Sequence, residues 1–209
     1  MTYKKLTLGS ITVNITDGTH STVINDNNGN YYLLSAKNIK NGLVKYDISD
    51  RKINQSTLNE LRKRTKLEVN DVVITTVGTI GEVAQIAEAN PKYEFQRSVA
   101  ILKPNSKIVY PKYFMYLLSN KDFKQKAISH SSGSVQKCLF LNTIKNLEVL
   151  INPNIEEQKA IANILSSLDD KIELNNKINK NLEELAQNLY RQWFVDFEFP
   201  NEDGEPYKS

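Results

Sequence analysis

The sequence predicts an α/β protein of the α+β kind, in which a strand-rich globular domain is followed by a long C-terminal coiled-coil helix. Segments rich in β-branched and aromatic residues alternate with turn formers through residues 1–150. After Pro153 the apolar residues recur in steps of three and four, which is typical of a helix. We therefore predict a globular domain over 1–153, a helical region over 154–198 and a spacer or tail over 199–209.

Three segments of the globular part predict strands: "YYLLSAKNI" (31–39), "DVVITTVGTIGEVAQIA" (71–87) and "FQRSVAILKP" (95–104). Within the second, Gly78 and Gly81 predict a hairpin turn between two strands. Residues 48–71 indicate a loop, a short helix and a turn. Within residues 110–129 the apolar residues after Pro111 have the spacing of a helix. "NLEVLINP" (146–153) predicts the last strand.

The C-terminal helix carries an apolar seam with the spacing of a coiled coil. Its residues, predicted to pair with another helix, are Ile161, Leu165, Leu168, Ile172, Ile178, Leu182, Leu185, Leu189 and Trp193. Between the two halves the seam passes through Asn175 with three-residue steps on either side, which indicates a stammer or a polar core layer. A helix of roughly 38 residues is about 57 Å long, too long to bury its whole seam on a compact domain, so it needs a partner helix. A helix folded back on its own domain is the alternative.

Composition limits the class of protein. Of the 209 residues 40% are hydrophobic, enough for a packed core. The sequence has no apolar run near the roughly 20 residues that cross a bilayer, and "MTYKKLTLGS" lacks the apolar region of a signal peptide. Cys138 is the single cysteine, which excludes an internal disulfide and favours a cytoplasmic location.

The charge is divided between the two parts. Residues 1–150 contain 21 Lys and Arg against 12 Asp and Glu, whereas residues 151–209 contain 6 against 12. The first part is thus +9 and the second −6. A basic body suggests a polyanion as its ligand, and the acidic helix suggests a protein partner, because phosphates would repel it. A modest excess of basic residues by chance is the alternative.

Several segments carry a family resemblance. "PNIEEQKAIANILSSLDDKIELNNKINKNLEELAQNLYRQWFVDFEFP" resembles the conserved helical region of specificity subunits of type I restriction–modification enzymes. Upstream, "DGTHSTV", "LLSAKNIKNG", "DVVITTVGTIGEV", "FQRSVAILKP" and "SGSVQKCLFLNTIKNLEVLINP" resemble their target recognition domain, in the usual order. The match spans nearly the whole chain.

The resemblance implies a sequence-specific, DNA-binding subunit that positions other subunits on a bipartite site. Members of the family usually carry two recognition domains and two helical regions paired antiparallel, whereas this sequence has one of each. It therefore resembles half a subunit, either cut from a longer protein or naturally short. Such a half-subunit could pair as a homodimer or with a second half-subunit. The implied partners are double-stranded DNA, modification subunits that bring S-adenosylmethionine and adenine methylation, and a restriction subunit that uses ATP and Mg²⁺.

The sequence contains no recognisable catalytic motif. His20, His130 and Cys138 do not match a zinc-ligand spacing, and neither GxGxxG nor a P-loop occurs. We expect no cofactor in this chain and no catalysis. A methyltransferase fragment is one rival hypothesis, and a coiled-coil scaffold or DNA-binding regulator outside restriction–modification is another.

Basic and amide residues on predicted loops are candidates for contacting phosphates and base edges. The predicted DNA-binding residues are Lys37, Asn38, Lys40, Arg51, Lys52, Arg62, Lys63, Arg64, Thr76, Thr79, Arg97, Ser132, Ser134, Gln136 and Lys137. For the residues of the basic and Ser-rich stretches, a solvated loop without a ligand is the alternative. For Thr76 and Thr79 the favoured interpretation is that of ordinary strand threonines, and for Arg97 the alternative is a salt bridge within the fold. For His20, a turn histidine with no role is the favoured interpretation.

Overall fold

A computed structural model describes residues 3–133 and 136–205 and divides the chain into two compact units, Met1–Ala162 and Asn163–Ser209. Along the chain the elements are β1 Lys4–Thr7, α1 Leu8–Ile11, β2 Thr12–Asp17, β3 Tyr31–Leu34, a 3-10 turn Ala36–Asn38, β4 Ile39–Lys40, β5 Leu43–Val44, β6 Lys52–Ile53, α2 Gln55–Thr65, β7 Val72–Thr75, β8 Val83–Gln85, β9 Tyr93–Phe95, β10 Val99–Pro104, α3 Pro111–Ser119, α4 Lys121–Ser129, α5 Leu141–Asn146, β11 Glu148–Ile151 and α6 Ile155–Phe194. The predicted class, a strand-rich domain before one long helix, is confirmed.

The centre of the first unit is an antiparallel sheet in the order β2-β10-β7-β8. A second sheet has the order β6-β3-β9, with β3 and β9 parallel, and two smaller pairs join β1 to β11 and β4 to β5. The predicted hairpin is present: β7 pairs with β8 across a turn in which Gly78 and Gly81 have φ of 79° and 87°. Those positive angles are the reason that glycine suits both positions.

The central sheet is buried on both faces. Val72 and Ile74 of β7 belong to a core cluster with helices α3, α4 and α5, whereas Val73 belongs to a cluster with Tyr93 and Phe95 of β9. Successive side chains of a strand point to opposite faces, so a strand covered on both sides is a continuous apolar run rather than an alternating one. This explains why "VVI" in the sequence is apolar at every position.

The helix predicted over 110–129 is two helices. Asn120 lies between α3 and α4 in an extended conformation, and its side chain accepts a hydrogen bond from the backbone N–H of Phe123 at 2.7 Å. An asparagine in this position ends one helix and caps the next.

The C-terminal helix α6 begins inside the first unit. Gln158 and Ala162 are buried there, and Ile161 packs against the same core. The Gln158 amide accepts from the Tyr110 N–H at 2.7 Å and donates to the carbonyls of Asn152 and Ile108 at 2.7 and 3.1 Å. The first two turns of the helix are therefore part of the folded domain, which continues beyond the predicted boundary at residue 153.

Along the rest of α6 the predicted seam is exposed. Its leucine and isoleucine side chains from Leu165 to Leu189 are 37% to 58% accessible. Trp193, the last predicted seam residue, also lines a local apolar hollow of about 420 Å³ with Phe194, Phe197, Phe199 and Pro200. Pairing through the seam stays a prediction. Within the described ranges, no helix is long and apolar enough to span a membrane.

Candidate nucleic-acid interface

Three of the predicted DNA-binding residues come together in one cleft of the first unit. The cleft has a volume of about 470 Å³, and its polar lining includes Thr76, Arg97 and Gln136 together with Asp17 and His20. Val77, Cys138, Leu139, Phe140 and Leu141 form its apolar side. We call this site the Arg97 cleft. It combines cationic, amide and apolar groups, the types of group that contact phosphates, base edges and thymine methyls.

Backbone hydrogen bonds hold the walls of the Arg97 cleft together. The Thr76 N–H donates to the Ser98 carbonyl at 2.9 Å, and the Leu139 N–H donates to the Thr76 carbonyl at 2.9 Å. The Arg97 N–H donates to the Thr19 carbonyl at 2.9 Å, so its backbone is fixed while its side chain is exposed. Arg97 is thereby placed to reach a ligand at little entropic cost to the backbone.

Thr76 has a structural role in this cleft. Its side chain is 3% accessible, and its hydroxyl donates to the Arg97 carbonyl at 3.2 Å. The hydroxyl is already used to hold the Arg97 segment, which counts against a base contact by Thr76, and that contact stays a prediction. Thr79, in contrast, is exposed on the β7–β8 turn, where its carbonyl accepts a hydrogen bond from the Thr75 hydroxyl.

Asp17 lies at the centre of a polar network on the rim of the cleft. His20 Nε2 is 2.6 Å from one carboxylate oxygen of Asp17, and the Arg64 guanidinium contacts the other. Arg64 also donates to the backbone carbonyls of Asp17 and Gly18, at 2.6 and 2.9 Å. Arg64 therefore joins helix α2 to the end of β2. These contacts count against a DNA contact by Arg64, which stays a prediction.

His20 and Asp17 were not predicted as site residues. The turn "DGTH" places them three positions apart, and that short spacing is the one signal that could have suggested contact between them. His20 thereby joins the polar rim of the Arg97 cleft through its contact with the Asp17 carboxylate.

Arg62 points inward rather than to a ligand. Its Nε lies 3.6 Å from Oε1 of Glu94, which is 0% accessible, and its guanidinium donates to the Pro91 carbonyl. Burial raises the pKa of Glu94 to about 7, although hydrogen bonds from Thr65 and the Phe95 N–H and the charge of Arg62 lower it. The helix turns this side chain toward a buried acid, which counts against a DNA contact by Arg62, and that contact stays a prediction.

Lys63, the next residue of α2, faces outward. It is exposed and forms an ion pair of 2.7 Å with the equally exposed Glu60. Such a pair contributes little to stability and can exchange for a phosphate. The "RKR" run is therefore one outward lysine between two arginines that hold the fold together.

The segment from Lys37 to Lys52 contains both structural and available residues. The buried Asn38 accepts from the Ser35 N–H at 3.0 Å and donates to the Lys45 carbonyl at 2.9 Å. Its amide is thus used internally, which counts against a base contact, and that contact stays a prediction. Lys37 forms an ion pair of 2.7 Å with Asp50. Lys40 is exposed beside the β4–β5 turn.

Two further predicted residues stabilise the neighbouring strand. Lys52 of β6 is half-buried, and its backbone N–H donates to the Asn25 side chain at 2.9 Å. Arg51 is exposed, with Nη1 3.4 Å from the Val23 carbonyl. The structure leaves the side chain of Arg51 accessible to a ligand.

The loop that ends at Cys138 is closed by its own backbone. Ser132 and Cys138 exchange two hydrogen bonds of 2.8 and 3.0 Å, and Gln136 and Lys137 are exposed within that loop. Ser134 lies outside the described residues. The loop thus presents an amide and a cation beside the Arg97 cleft.

The cleft has no sign of an activated nucleophile. Burial raises the pKa of the Cys138 thiol by more than the nearby Arg97 lowers it, so the thiolate is disfavoured. Within residues 3–133 and 136–205, no group of three or more His, Cys, Asp and Glu side chains could hold a metal ion.

The family model and the curated relatives that match this chain all describe type I restriction specificity proteins. A family model described as "Type I restriction modification DNA specificity domain" matches residues 2–184. The chain is 34% identical over 158 residues to the type I restriction enzyme MjaIX specificity subunit of Methanocaldococcus jannaschii, covering 75% of this chain and 34% of that protein. It is 37% identical over 108 residues to the HindI specificity subunit of Haemophilus influenzae, covering 51% and 23%.

Solved structures share the fold. The S subunit of a type I restriction–modification system from M. genitalium superposes with a TM-score of 0.69 at 20% identity, over 93% of this chain and 46% of that one. The HsdS subunit of Thermoanaerobacter tengcongensis gives a TM-score of 0.58 at 14% identity, over 97% and 51%. The chain thus spans about half the length of these solved subunits and a smaller share of the curated relatives. It belongs to the family of type I restriction–modification DNA specificity domains.

Proposed function

We propose that residues 3–162 read a DNA sequence through the Arg97 cleft and the loops beside it, and that α6 positions this domain in a larger enzyme. The observation that carries the proposal is the cleft itself: in a DNA specificity domain, Arg97 and Gln136 stand exposed on a hydrogen-bonded frame. Arginine and glutamine are the side chains suited to the edges of guanine and adenine. Lys40, Arg51, Lys63 and Lys137 would supply phosphate contacts.

In this proposal the chain is a non-catalytic subunit without a cofactor of its own. S-adenosylmethionine, and ATP with Mg²⁺, belong to modification and restriction subunits that bind to it. The raised pKa of the Cys138 thiol supports a binding role for the cleft. The complete enzyme acts on DNA in the cytoplasm.

In this proposal a bipartite target takes two recognition domains, of which residues 3–162 are one. The exposed seam of α6 supports assembly with a second helix, from a second copy or from another half-subunit. Two copies related by a two-fold axis would present two recognition domains in inverted orientation to two half-sites.

The test is to combine the chain with its modification subunit and to sequence the sites that become methylated. Arg97→Ala and Gln136→Ala should each relax selectivity at one base position, by about 1–3 kcal/mol of discrimination. Lys107→Ala, at an exposed lysine that does not line the cleft, is the matched control and should leave the methylated sequence unchanged. Unchanged selectivity in both cleft variants would contradict the proposal.

A coiled-coil scaffold or DNA-binding regulator outside restriction–modification is the second candidate, and the exposed seam favours it as much as it favours the specificity subunit. It predicts helix pairing without sequence-dependent methylation when the modification subunit is present.

A further inference from the structure

Phe140 is an exposed aromatic residue in the wall of the Arg97 cleft. Its side chain is 58% accessible, and it shares the apolar lining of the cleft with the half-buried Val77 and Leu141. Single exposed apolar residues are common on protein surfaces and need no explanation. Phe140 differs from them because it lies in a concave site among other apolar groups, so that a ligand entering the cleft would cover it.

The position of Phe140 is fixed by the backbone on both sides of it. The N–H of the buried Leu139 donates to the Thr76 carbonyl at 2.9 Å. The carbonyl of Phe140 itself accepts from the N–H of the buried Ile144 at 3.0 Å, which is the first hydrogen bond of α5. The ring is therefore presented by an ordered segment, and a contact with a ligand costs little backbone entropy.

Phe140 is an unfavourable residue at the start of a helix. It precedes α5 with φ of −73° and ψ of 149°, the position at which a side-chain oxygen usually accepts a hydrogen bond from the helix backbone. Asn54, Asn120 and Asn154 accept such a bond at the starts of α2, α4 and α6. A phenylalanine ring has no oxygen, so α5 begins without a side-chain cap. Natural proteins break such local rules chiefly at functional sites, which indicates that this ring serves a ligand.

The neighbours of Phe140 indicate which ligand the ring fits. Arg97 and Gln136 are exposed in the same cleft, and Lys137 is exposed beside it. The two cations favour a polyanion. Arginine and glutamine bind the edges of guanine and adenine in the major groove of DNA, and in that groove thymine presents its C5-methyl group. An apolar wall beside these polar side chains is therefore suited to a thymine methyl.

We propose that Phe140 recognises the C5-methyl group of a thymine in the DNA sequence read by the Arg97 cleft. The proposal rests on the proposed function of the cleft and adds one base-specific contact to it. On binding, the ring and the methyl group remove each other from water, which offsets the exposure of the ring and the missing helix cap. Uracil has the hydrogen-bonding edges of thymine and lacks only this methyl group, so it isolates the contact.

The test uses the whole chain assembled with its modification subunit. Duplexes of the sequence identified in the methylation experiment are prepared with each thymine in turn replaced by deoxyuridine. For the unmodified chain, one replacement should weaken binding about fourfold, the effect of losing one buried methyl group. For Phe140→Ser that replacement should have no effect, whereas Phe140→Leu, which keeps an apolar contact, should retain the sensitivity. Leu150→Ser is the matched control, because Leu150 is equally accessible at 58% but lies on β11 outside the cleft.

Thermal unfolding of the free chain gives a second measurement. Phe140→Ser supplies the hydroxyl that can cap α5 and should raise the melting temperature by about 2–4 °C. Phe140→Leu supplies no acceptor and should not raise it. A phenylalanine with a purely structural role would instead lose stability on replacement by serine, so an unchanged or lower melting temperature would overturn the assignment of Phe140 to a ligand.

Two binding results would also overturn the proposal. If no deoxyuridine duplex distinguishes the unmodified chain from Phe140→Ser, the ring does not contact a thymine methyl. If Phe140→Ser weakens assembly with the modification subunit and leaves the methyl effect intact, the ring contacts that protein. Arg97→Ala in the same assay separates this proposal from the proposed function: unchanged selectivity in Arg97→Ala would refute DNA reading by the cleft, whereas lost selectivity without any methyl effect would refute only the role of Phe140.

Discussion

Arg62 and Lys63 are adjacent on α2, but one faces a buried carboxylate and the other faces solvent, so replacing them should change different properties of the protein. Arg62→Met keeps the length of the side chain but removes the cation beside the buried Glu94. Lys63→Ala removes an exposed ammonium that is paired with an exposed Glu60. We expect the first change to reduce stability and the second to reduce DNA affinity.

The size of the stability effect follows from burial. Removing one member of a buried ion pair costs about 3–5 kcal/mol because it leaves an uncompensated charge. The Arg62 side chain is 27% accessible, so solvent screens part of its interaction with Glu94. We therefore expect Arg62→Met to lower the free energy of unfolding at pH 8 by about 2–3 kcal/mol. At pH 5 the loss should be smaller, because Glu94 with a pKa of about 7 is then protonated and has no charge to compensate. For Lys63→Ala the loss should stay within about 0.5 kcal/mol.

Two measurements separate these effects. Urea unfolding of each variant at pH 8 and pH 5 gives the free energy of unfolding, and DNA binding at several salt concentrations gives the number of phosphate contacts. Lys63→Ala should reduce the slope of log affinity against log salt by up to about 0.9, the value for one lost phosphate contact. Arg62→Met should leave that slope unchanged under conditions where it is folded.

The reverse result would refute this reasoning. If Arg62→Met unfolds at the same urea concentration as the unmodified chain but has a smaller salt slope, Arg62 contacts DNA and its pairing with Glu94 has little energetic importance.

Three further outcomes are expected. The pKa of Glu94 is raised from 4.5 to about 7 in the folded state, so the free energy of unfolding should fall by up to about 3 kcal/mol as pH rises between these values. Glu94→Gln should remove that pH dependence when unfolding is measured from about pH 4 to pH 8. In competition assays, Arg97→Ala should weaken binding to the DNA sequence identified in the methylation experiment more than binding to random DNA. An equal loss of affinity for both would indicate that Arg97 contacts a phosphate. Leu168→Asp together with Leu182→Asp should convert the dimer to a monomer in light scattering without changing the unfolding of the first unit, and persistence of the dimer would exclude the seam as its interface.

Much of the fold could be predicted because it depends on local chemistry. The β7–β8 hairpin needs positive φ at two turn positions, and the sequence has glycine at both, Gly78 and Gly81. The long helix is recognisable because its apolar spacing continues from Ile161 to Trp193, through most of the 40 residues of α6. The sequence does not predict the break at Asn120 because asparagine is tolerated inside helices. Only the structure shows that the Asn120 side chain caps the second helix, α4.

The site could be predicted only in part, because sequence does not show which way a polar side chain points. Arg62 and Lys63 have the same local sequence context, yet one faces a buried carboxylate and the other faces solvent. Asn38 and Thr76 are residue types common at base edges, but both are used by nearby backbone groups. Arg97 and Gln136 are 39 positions apart in the sequence, and only the packing of the cleft brings them together.

The burial of Gln158 determines where this protein can be divided. Its amide joins the first turns of α6 to Tyr110, Ile108 and Asn152, so the stable domain ends within the helix at Ala162 and not at the strand–helix junction. Joining residues 1–153 to a helix without a glutamine at position 158 would remove the side chain that bonds three backbone groups of the domain. A junction after Ala162 preserves these bonds. Chimeras joined after Ala162 should therefore fold where chimeras joined at Pro153 to such a helix do not.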